Sequence, residues 1–311
     1  MHFLYALTIG PFVQILASPG FFLEVLVGGL LSGVMYSLVA LGFVLIFKAS
    51  GVFNFAQGTM VLFAALTFVG LLELNLPLWL ATIITVAVMI ALAFIVERLV
   101  LRPLVNQSPI ILFMATIGIS FFLEGLGQLV WGGDVHALDV GIPSGPINIG
   151  VININKFDLV AALVAGLLVT ALAVFFQRTR IGRALRAVAD DHQAALSVGI
   201  SLKQIWVIVW AASGLVALVA GIMWGTNLGV QFSLTLVALK ALPVLILGGF
   251  TSVPGAIVGG LIVGAVEKVA EVFWGPPLGG GIEDWIAYVL ALVFLLFRPQ
   301  GLFGERIIER V

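Results

Sequence analysis

Long apolar segments alternate with short polar ones along almost the whole chain. Nine apolar runs can be delimited, at residues 21–47, 60–72, 78–97, 110–131, 158–177, 205–228, 239–249, 255–271 and 284–297. A helix of about 20 apolar residues crosses a hydrocarbon core of roughly 30 Å. The pattern therefore predicts an all-α polytopic membrane protein with eight to ten transmembrane helices, nine from these runs and a tenth if residues 1–17 also cross.

Basic residues are concentrated in the polar interruptions. Residues 177–204 hold five of the 14 basic residues, and loops rich in Lys and Arg stay on the cytoplasmic side of a bilayer. If this loop is cytoplasmic and successive spans cross the membrane in alternate directions, 11 of the 14 basic residues lie on the cytoplasmic face. They are Lys48, Arg98, Arg102, Arg178, Arg180, Arg183, Arg186, Lys203, Arg298, Arg306 and Arg310.

Composition excludes several classes of protein. Hydrophobic residues make up 62% of the 311 positions and charged residues 9%, whereas about a quarter of the residues in a soluble domain are charged. The chain has no cysteine, which excludes disulfides and thiolate metal sites, and its three histidines are isolated in sequence. No metal site, cofactor or nucleic-acid partner is expected for this chain.

Glycines four residues apart predict that several helices pack closely. Such small-residue pairs let two helix backbones approach each other. The pairs are Gly29/Gly33, Gly221/Gly225, Gly225/Gly229, Gly255/Gly259 and Gly260/Gly264.

Polar residues interrupt the apolar pattern at two places that are candidates for a solute pathway. Asn54 and Gln57, beside Gly58, face either protein or water, because an unpartnered amide in hydrocarbon costs several kcal/mol. They form helix–helix contacts or line a pathway. The segment 239–249 is short, broken by proline and ended by Gly248 and Gly249, as in transporter helices that expose backbone to a solute. Lys240 lies there, either in the pathway or extended to the outer headgroups.

The polar run 177–204 has the periodicity of a short amphipathic helix at the membrane surface. Ile181, Leu185, Val188, Ala195, Leu196 and Gly199 form its apolar stripe. Arg186 and Asp190 are spaced to pair across one turn. The run is either a basic loop that only fixes topology or a helix that a partner protein grips.

Three motifs resemble permease subunits of ABC importers of the branched-chain amino acid type. The first is the cytoplasmic coupling loop, G-R-x-x-R-A-x-x-x-D-x-x-x-A-x-x-x-G-I, matched by Gly182, Arg183, Arg186, Ala187, Asp191, Ala195, Gly199 and Ile200. The string VFNFAQG is similar to the family's N-F-A-x-G motif. The block from Lys240 to Gly260 is similar to K-A-x-x-x-x-x-L-G-G-x-x-S-x-P-G-A-x-x-G-G.

The resemblance covers about residues 28–304 and implies the ABC importer permease fold. Residues 1–311 then form one transmembrane permease domain, with a membrane-associated helix at 1–20, a periplasmic loop at 132–157 that contains a small hairpin, the coupling loop at 177–204 and a cytoplasmic tail at 298–311. The broken segments in each half predict an internal repeat.

The resemblance also implies partners and residue roles. It implies a second, related permease subunit, two ATP-binding subunits, a periplasmic substrate-binding protein and a location in the bacterial inner membrane. ATP and magnesium belong to the ATP-binding subunits, and this chain contains no G-x-x-x-x-G-K-[ST] phosphate loop. The residues expected to couple to the ATPase are Gly182, Arg183, Arg186, Ala187, Asp190, Asp191, Ala195 and Gly199, and those expected along the pathway are Asn54, Gln57, Gly58, Lys240, Gly248 and Gly249.

Two other functions remain open from the residues alone. An ion- or proton-coupled secondary transporter needs buried carboxylates, for which Glu124 and Glu267 are the candidates. The simpler expectation for Glu267 is that it or Glu271 is neutralised by Lys268. A structural or lipid-binding membrane subunit is the third class.

Overall fold

The computed structural model describes residue 5 and residues 7–104, 107–143, 145–150, 152–190 and 192–304. Twelve α-helices and one β-hairpin lie within these ranges. The helices are α1 (Gly10–Ala17), α2 (Pro19–Ser50), α3 (Gln57–Glu73), α4 (Leu78–Val96), α5 (Pro109–Trp131), α6 (Lys156–Arg178), α7 (Arg180–Asp190), α8 (His192–Ser197), α9 (Leu202–Leu228), α10 (Val237–Gly248), α11 (Val253–Leu278) and α12 (Ile286–Phe297).

The helix lengths agree with a multi-pass membrane protein. Among the described residues, five helices are long and apolar enough to span a bilayer, and a sixth span results if the bent pair that contains α10 and α11 is counted as one. α3 and α12 are apolar but shorter. Every apolar run of the sequence is helical, which confirms the all-α polytopic class. The number of crossings by length is lower than the eight to ten predicted, because the runs at α3, α10 and α12 form helices of 17 residues or fewer.

The chain divides into two compact units. One combines residues 1–37, 141–166 and 240–311, and the other combines residues 38–140 and 167–239. In the second unit, α3 packs against α4, α5 and α9. Residues 57–69 of α3 are all buried, which explains why this helix is apolar on every side.

Glycines bring α2 and α11 into backbone contact in the first unit. A Cβ at Gly33 would lie 2.5 Å from the carbonyl oxygen of Gly260, and a Cβ at Gly264 would lie 2.4 Å from that of Gly29. No side chain fits between the helices at these positions. The close packing predicted from this glycine spacing is confirmed.

A sharp turn joins α10 to α11, and the two helical segments on either side of it are bent by 115°. Gly249 adopts φ +99° in this turn. The residues that follow α12 complete the end of α10, because Leu302 N donates to Leu247 O at 2.7 Å and Phe303 N donates to Gly248 O at 3.2 Å. These carbonyls have no partner within their own helix.

The hairpin predicted in the 132–157 loop is present. Strands β1 (Pro146–Ile149) and β2 (Ile152–Asn155) pair in antiparallel fashion, with Ile149 opposite Ile152. The side chain of Asn155 accepts a hydrogen bond from Phe157 N at 3.0 Å and so caps α6. Asp158 lies in the first turn of α6, because the helix already begins at Lys156.

Candidate functional site

The predicted coupling segment contains two described helices, α7 and α8. Asp190 ends the first helix and His192 begins the second. Asp191, one of the predicted coupling residues, lies outside the described residues.

Gly182 places α7 in direct contact with the end of α6. A Cβ at this position would lie 1.7 Å from Phe176 O and 2.4 Å from Phe176 C, so only glycine fits. Thr179 Oγ1 accepts a hydrogen bond from Gly182 N at 3.2 Å and caps α7. Thr179 Oγ1 also donates to Phe175 O at 2.6 Å. The two helices are thus joined without a flexible linker.

Arg186 adds a second connection between α6 and α7. Its guanidinium donates to Phe176 O at 2.9 Å and to Gln177 O at 3.4 Å, two carbonyls in the last turn of α6. A cation at this end of a helix also interacts favourably with the helix dipole. The i, i+4 ion pair with Asp190 predicted from the sequence does not form, since the arginine is directed to α6 and Asp190 is exposed.

One face of α7 is buried and the other faces outward. Leu185 and Val188 are buried where α7 packs against α9, whereas Arg183 is exposed. Ala187, another predicted coupling residue, is half-buried. The helix has the amphipathic pattern that its sequence predicts.

The α8 end of the segment exposes apolar side chains. Ala195 is buried, but Leu196 is 52% exposed and Val198 is 75% exposed. Leu196 was expected on the buried stripe, and the expectation is wrong because α8 ends at Ser197 and the chain then turns. In that turn Gly199 has φ +85°, Gly199 N donates to Leu196 O, and Ile200 N donates to Ala195 O. This is a Schellman ending, which strongly favours glycine.

Asn54 and Gln57, two of the predicted pathway residues, are fully buried at the start of α3. Asn54 Oδ1 accepts a hydrogen bond from Ala56 N at 3.1 Å, and its amide nitrogen lies 3.8 Å from Met60 Sδ. Thr116 of α5 holds the same turn, since its hydroxyl accepts a hydrogen bond from Phe55 N at 3.2 Å. The asparagine amide therefore organises its own turn.

The amide of Gln57 lies between two helices. Ser213 Oγ of α9 donates a hydrogen bond to Gln57 Oε1, and Gln57 Nε2 is buried with no hydrogen-bond partner among the described residues. Gly42 of α2 leaves room for this amide, because a Cβ there would lie 2.7 Å from Nε2. Gly58, the next residue, lies against the backbone of the 3-10 helix Phe232–Leu236. A Cβ at Gly58 would be 2.2 Å from Thr235 O.

Lys240 forms the centre of a charged cluster in the other unit. Its ammonium donates to Asp284 Oδ1 at 3.0 Å and to Glu283 O at 3.0 Å, and lies 3.7 Å from Glu267 Oε1. The lysine side chain is 25% exposed and that of Glu267 is 5% exposed. Lys240 is therefore paired with acidic residues of α11 and of the turn before α12, and its place in the pathway or at the headgroups stays a prediction.

The neighbouring acids also differ from expectation. Glu267 pairs with Lys240 rather than with Lys268, and Glu271 accepts hydrogen bonds from Gly281 N at 2.9 Å and Glu283 N at 3.0 Å. Lys268 was expected to neutralise one of them. It lies one residue after Glu267 and therefore points to another face of α11.

Gly248 and Gly249 lie at the opposite end of α10 from Lys240. A Cβ at Gly248 would lie 2.2 Å from Gly255 O, and Gly249 faces Gly304. Eight residues of helix separate Lys240 from Gly248, about 12 Å. The structure thus brings Asn54, Gln57 and Gly58 together, and places Lys240 apart from the two glycines. The roles assigned to all six residues stay predictions.

Sequence reasoning missed an ion pair at the end of α4, between the buried Glu97 and the partly exposed Arg102. The side chain of Glu97 is 1% exposed and binds Arg102 through both oxygens, at 3.1 and 2.8 Å. A π-helix at Glu97–Leu101 brings residues five apart onto one face. The i, i+5 spacing is the only signal in the sequence, and it does not match the usual helical pairs.

The chain matches the family model described as "Branched-chain amino acid transport system / permease component" over residues 25–298. It is 30% identical over 308 residues to the high-affinity branched-chain amino acid transport system permease protein BraD of Pseudomonas aeruginosa, covering 93% of this chain and 98% of that protein. It is 29% identical over 310 residues to the permease protein LivH of Salmonella typhimurium, covering 94% and 98%.

Among solved structures, PsaBC from Streptococcus pneumoniae in complex with Fab aligns with 87% of this chain and 89% of that one, at 16% identity and a TM-score of 0.45. The family match spans most of the chain and includes the three motifs, the glycine contacts and the α7–α8 segment described above. The chain belongs to the family of branched-chain amino acid transport system permease components.

Proposed function

We propose that this chain is the transmembrane permease subunit of an ATP-binding-cassette importer. It translocates branched-chain and other hydrophobic amino acids, or related small solutes such as amides, urea and aromatic acids, across the bacterial inner membrane. Its partners are a second, related permease subunit, two ATP-binding subunits and a periplasmic substrate-binding protein. ATP and magnesium are bound by the ATP-binding subunits, and this chain performs translocation without chemistry on the solute.

The geometry of α7 and α8 is the observation that carries this proposal. The buried face of α7 packs against α9, and Gly182 and Arg186 join its start to the end of α6. The opposite side presents Arg183, Asp190 and the apolar Leu196 to a partner. A force applied there is transmitted to α6 and α9, because α7 contacts both of these helices directly.

The coupling residues divide into two groups by their contacts. Gly182, Arg186, Ala195 and Gly199 hold the two helices in place, while Arg183 and Asp190 are exposed and available to an ATP-binding subunit. Ala187, which is half-buried, and Asp191 complete the set on the family motif. An exposed edge that mixes charge with apolar area is typical of protein interfaces.

The substrate class is supported by the relatives, whose names give branched-chain amino acid transport. The pathway residues proposed are Asn54, Gln57, Gly58, Lys240, Gly248 and Gly249. Gln57 is the most informative of them, since its buried amide nitrogen has no hydrogen-bond partner among the described residues and can donate to a passing solute when the helices around it move.

The proposal is tested by reconstituting the chain with its partner subunits in proteoliposomes. Leucine uptake should require ATP and the binding protein, and it should stop when ATP is withdrawn while a proton gradient is kept. Uptake that persists under the gradient alone would contradict an ATP-driven importer and favour a secondary transporter.

Two single variants, each with one basic residue changed to glutamate, test the exposed face of α7 that is proposed to contact an ATP-binding subunit. Arg183→Glu should reduce ATP-dependent uptake and retention of the ATP-binding subunits about tenfold, the effect of about 1.4 kcal/mol. Lys203→Glu is the matched control, because Lys203 is also exposed and basic in the same loop but lies outside the coupling set. Equal effects of the two variants would show that only the net charge of the loop matters.

A further inference from the structure

A cavity of about 210 Å³ lies between α2, α6, α11 and the β-hairpin. The residues that line it all belong to the first compact unit. The volume equals about seven water molecules at roughly 30 Å³ each, which is room for a headgroup-sized ligand. Charged and amide side chains dominate its polar lining, namely Glu24, Lys268, Asp158, Asn153 and Asn155.

The cavity faces the outer side of the membrane in the topology predicted from the basic residues. α2 ends at the cytoplasmic Lys48 and α6 ends at the coupling loop, so their first residues are outside. Glu24 lies five residues after the start of α2, about 8 Å along the helix. That depth corresponds to the headgroup region of a bilayer.

Gly28 keeps the cavity open. A Cβ at Gly28 would meet no atom within 4 Å, whereas a Cβ at the adjacent Gly29 would lie 2.7 Å from Gly264 O. Helix packing therefore requires Gly29 but places no such requirement on Gly28. A larger side chain at Gly28 would fill the cavity without disturbing the contact between α2 and α11.

The charged side chains around the cavity form no ion pair with one another among the described residues, although Asp158 and Lys268 are near enough to attract each other. Glu24 Oε2 accepts both hydrogen bonds from Asn153, at 2.9 and 3.3 Å, which leaves Oε1 for a ligand. Within the described part of the chain, no oppositely charged group lies within 4.0 Å of Asp158 or Lys268, and neither makes a hydrogen bond through its side chain.

Lys268 is exposed and reaches the cavity from α11. Two carboxylates, from α2 and α6, and one ammonium, from α11, line the cavity and are complementary to a ligand that carries both a positive and a negative group.

We propose that this cavity binds a small zwitterionic group in which a primary ammonium lies a few bonds from an anionic group. The ammonium donates to Glu24 and Asp158, and the anionic group accepts from Lys268. A free amino acid and the headgroup of phosphatidylethanolamine share this chemistry. None of the residues that line the cavity is among the predicted pathway residues, and the site does not require that the chain transport anything.

The test measures binding to the full-length purified chain in detergent, without partner subunits, by isothermal titration calorimetry. The probes are leucine, dihexanoyl phosphatidylethanolamine and dihexanoyl phosphatidylcholine, whose quaternary ammonium has no N–H donor. We expect one ligand per chain and at least tenfold tighter binding of a primary-ammonium probe than of the choline lipid. Leucine binding identifies a free amino acid as the source, and ethanolamine-lipid binding without leucine binding identifies the membrane.

Two variants and a matched control locate the binding. Gly28→Leu and Asp158→Asn should each lower the affinity for the tighter-binding probe at least tenfold. Thermal unfolding is measured on the same samples to check that the variants are folded. Gly118→Leu is the control, since a Cβ at Gly118 also meets no atom within 4 Å, on a different helix. The proposal is overturned if neither primary-ammonium probe binds, if the choline lipid binds equally well, or if Gly28→Leu has no more effect than Gly118→Leu. Because ATP and transport play no part, this result is separate from the test of the importer.

Discussion

Gly182→Ala tests whether the contact between α6 and α7 transmits movement from the ATP-binding subunits. The added methyl group would lie 1.7 Å from Phe176 O, and real Cβ atoms essentially never come closer than 3.0 Å to another heavy atom. The two backbones must therefore separate by about 1.3 Å, the difference between these distances. Such a shift also lengthens the 2.9 Å hydrogen bond from Arg186 to the same carbonyl.

The free-energy cost of Gly182→Ala at this contact is the sum of three contributions. Overpacking of a tight contact costs about 1–3 kcal/mol. Weakening a hydrogen bond from a charged donor adds about 1 kcal/mol, and the better helix propensity of alanine returns about 0.5–1 kcal/mol. The net loss of about 1–3.5 kcal/mol should raise the opening equilibrium of α7 roughly 5- to 300-fold.

Hydrogen–deuterium exchange on the assembled complex measures this opening. Amides of α7 should exchange faster in Gly182→Ala, while those of α3 and α4 stay unchanged, and ATP-dependent uptake should fall. Gly118→Ala is the control for the chemical change itself, because its methyl group meets open space. Normal exchange in α7 together with normal uptake in Gly182→Ala would refute the idea that this contact holds the coupling helices.

Three further substitutions have effects that the contacts specify. Lys240→Met should lower stability in thermal unfolding by about 1–3 kcal/mol, less than for a fully buried pair because the lysine is partly exposed, and adding Glu267→Gln should recover part of the loss. Ser213→Ala should cost about 1–3 kcal/mol by removing the donor to Gln57, whereas the double variant with Gln57→Leu should be closer to wild type in the same assay. Gly264→Val should prevent folding, seen as loss of the monodisperse peak in size-exclusion chromatography, since its Cβ would lie 2.4 Å from a backbone oxygen of α2.

The class of protein and its closest helix contacts could be predicted from the sequence because they depend on local patterns. Apolar runs predicted the helices, glycines four apart predicted the contact of Gly33 with Gly260, and the loop 132–157 predicted its hairpin. Each of these features depends on consecutive or regularly spaced residues, and it could therefore be predicted from a single sequence.

The partners of polar side chains could not be predicted in this way. Glu267 was assigned to Lys268 by proximity in sequence, but the structure brings Lys240 to it from another helix. Ser213 lies 156 residues from Gln57, and no local pattern relates the two. The spacing of Glu97 and Arg102 fits a π-helix, which sequence patterns for α-helices do not anticipate.

The glycine contacts between α2 and α11 also restrict how this part of the molecule can move. Sliding of packed helices relies on side chains that exchange rotamers at the interface, and here backbone atoms touch with none in between. Translation of one helix along the other by a fraction of a turn would bring bulkier neighbours into the space that only glycine fits. Within this unit the two helices should therefore move together as a rigid body. A change in the angle between α10 and α11 is then expected at the turn at Gly249, where the chain already bends.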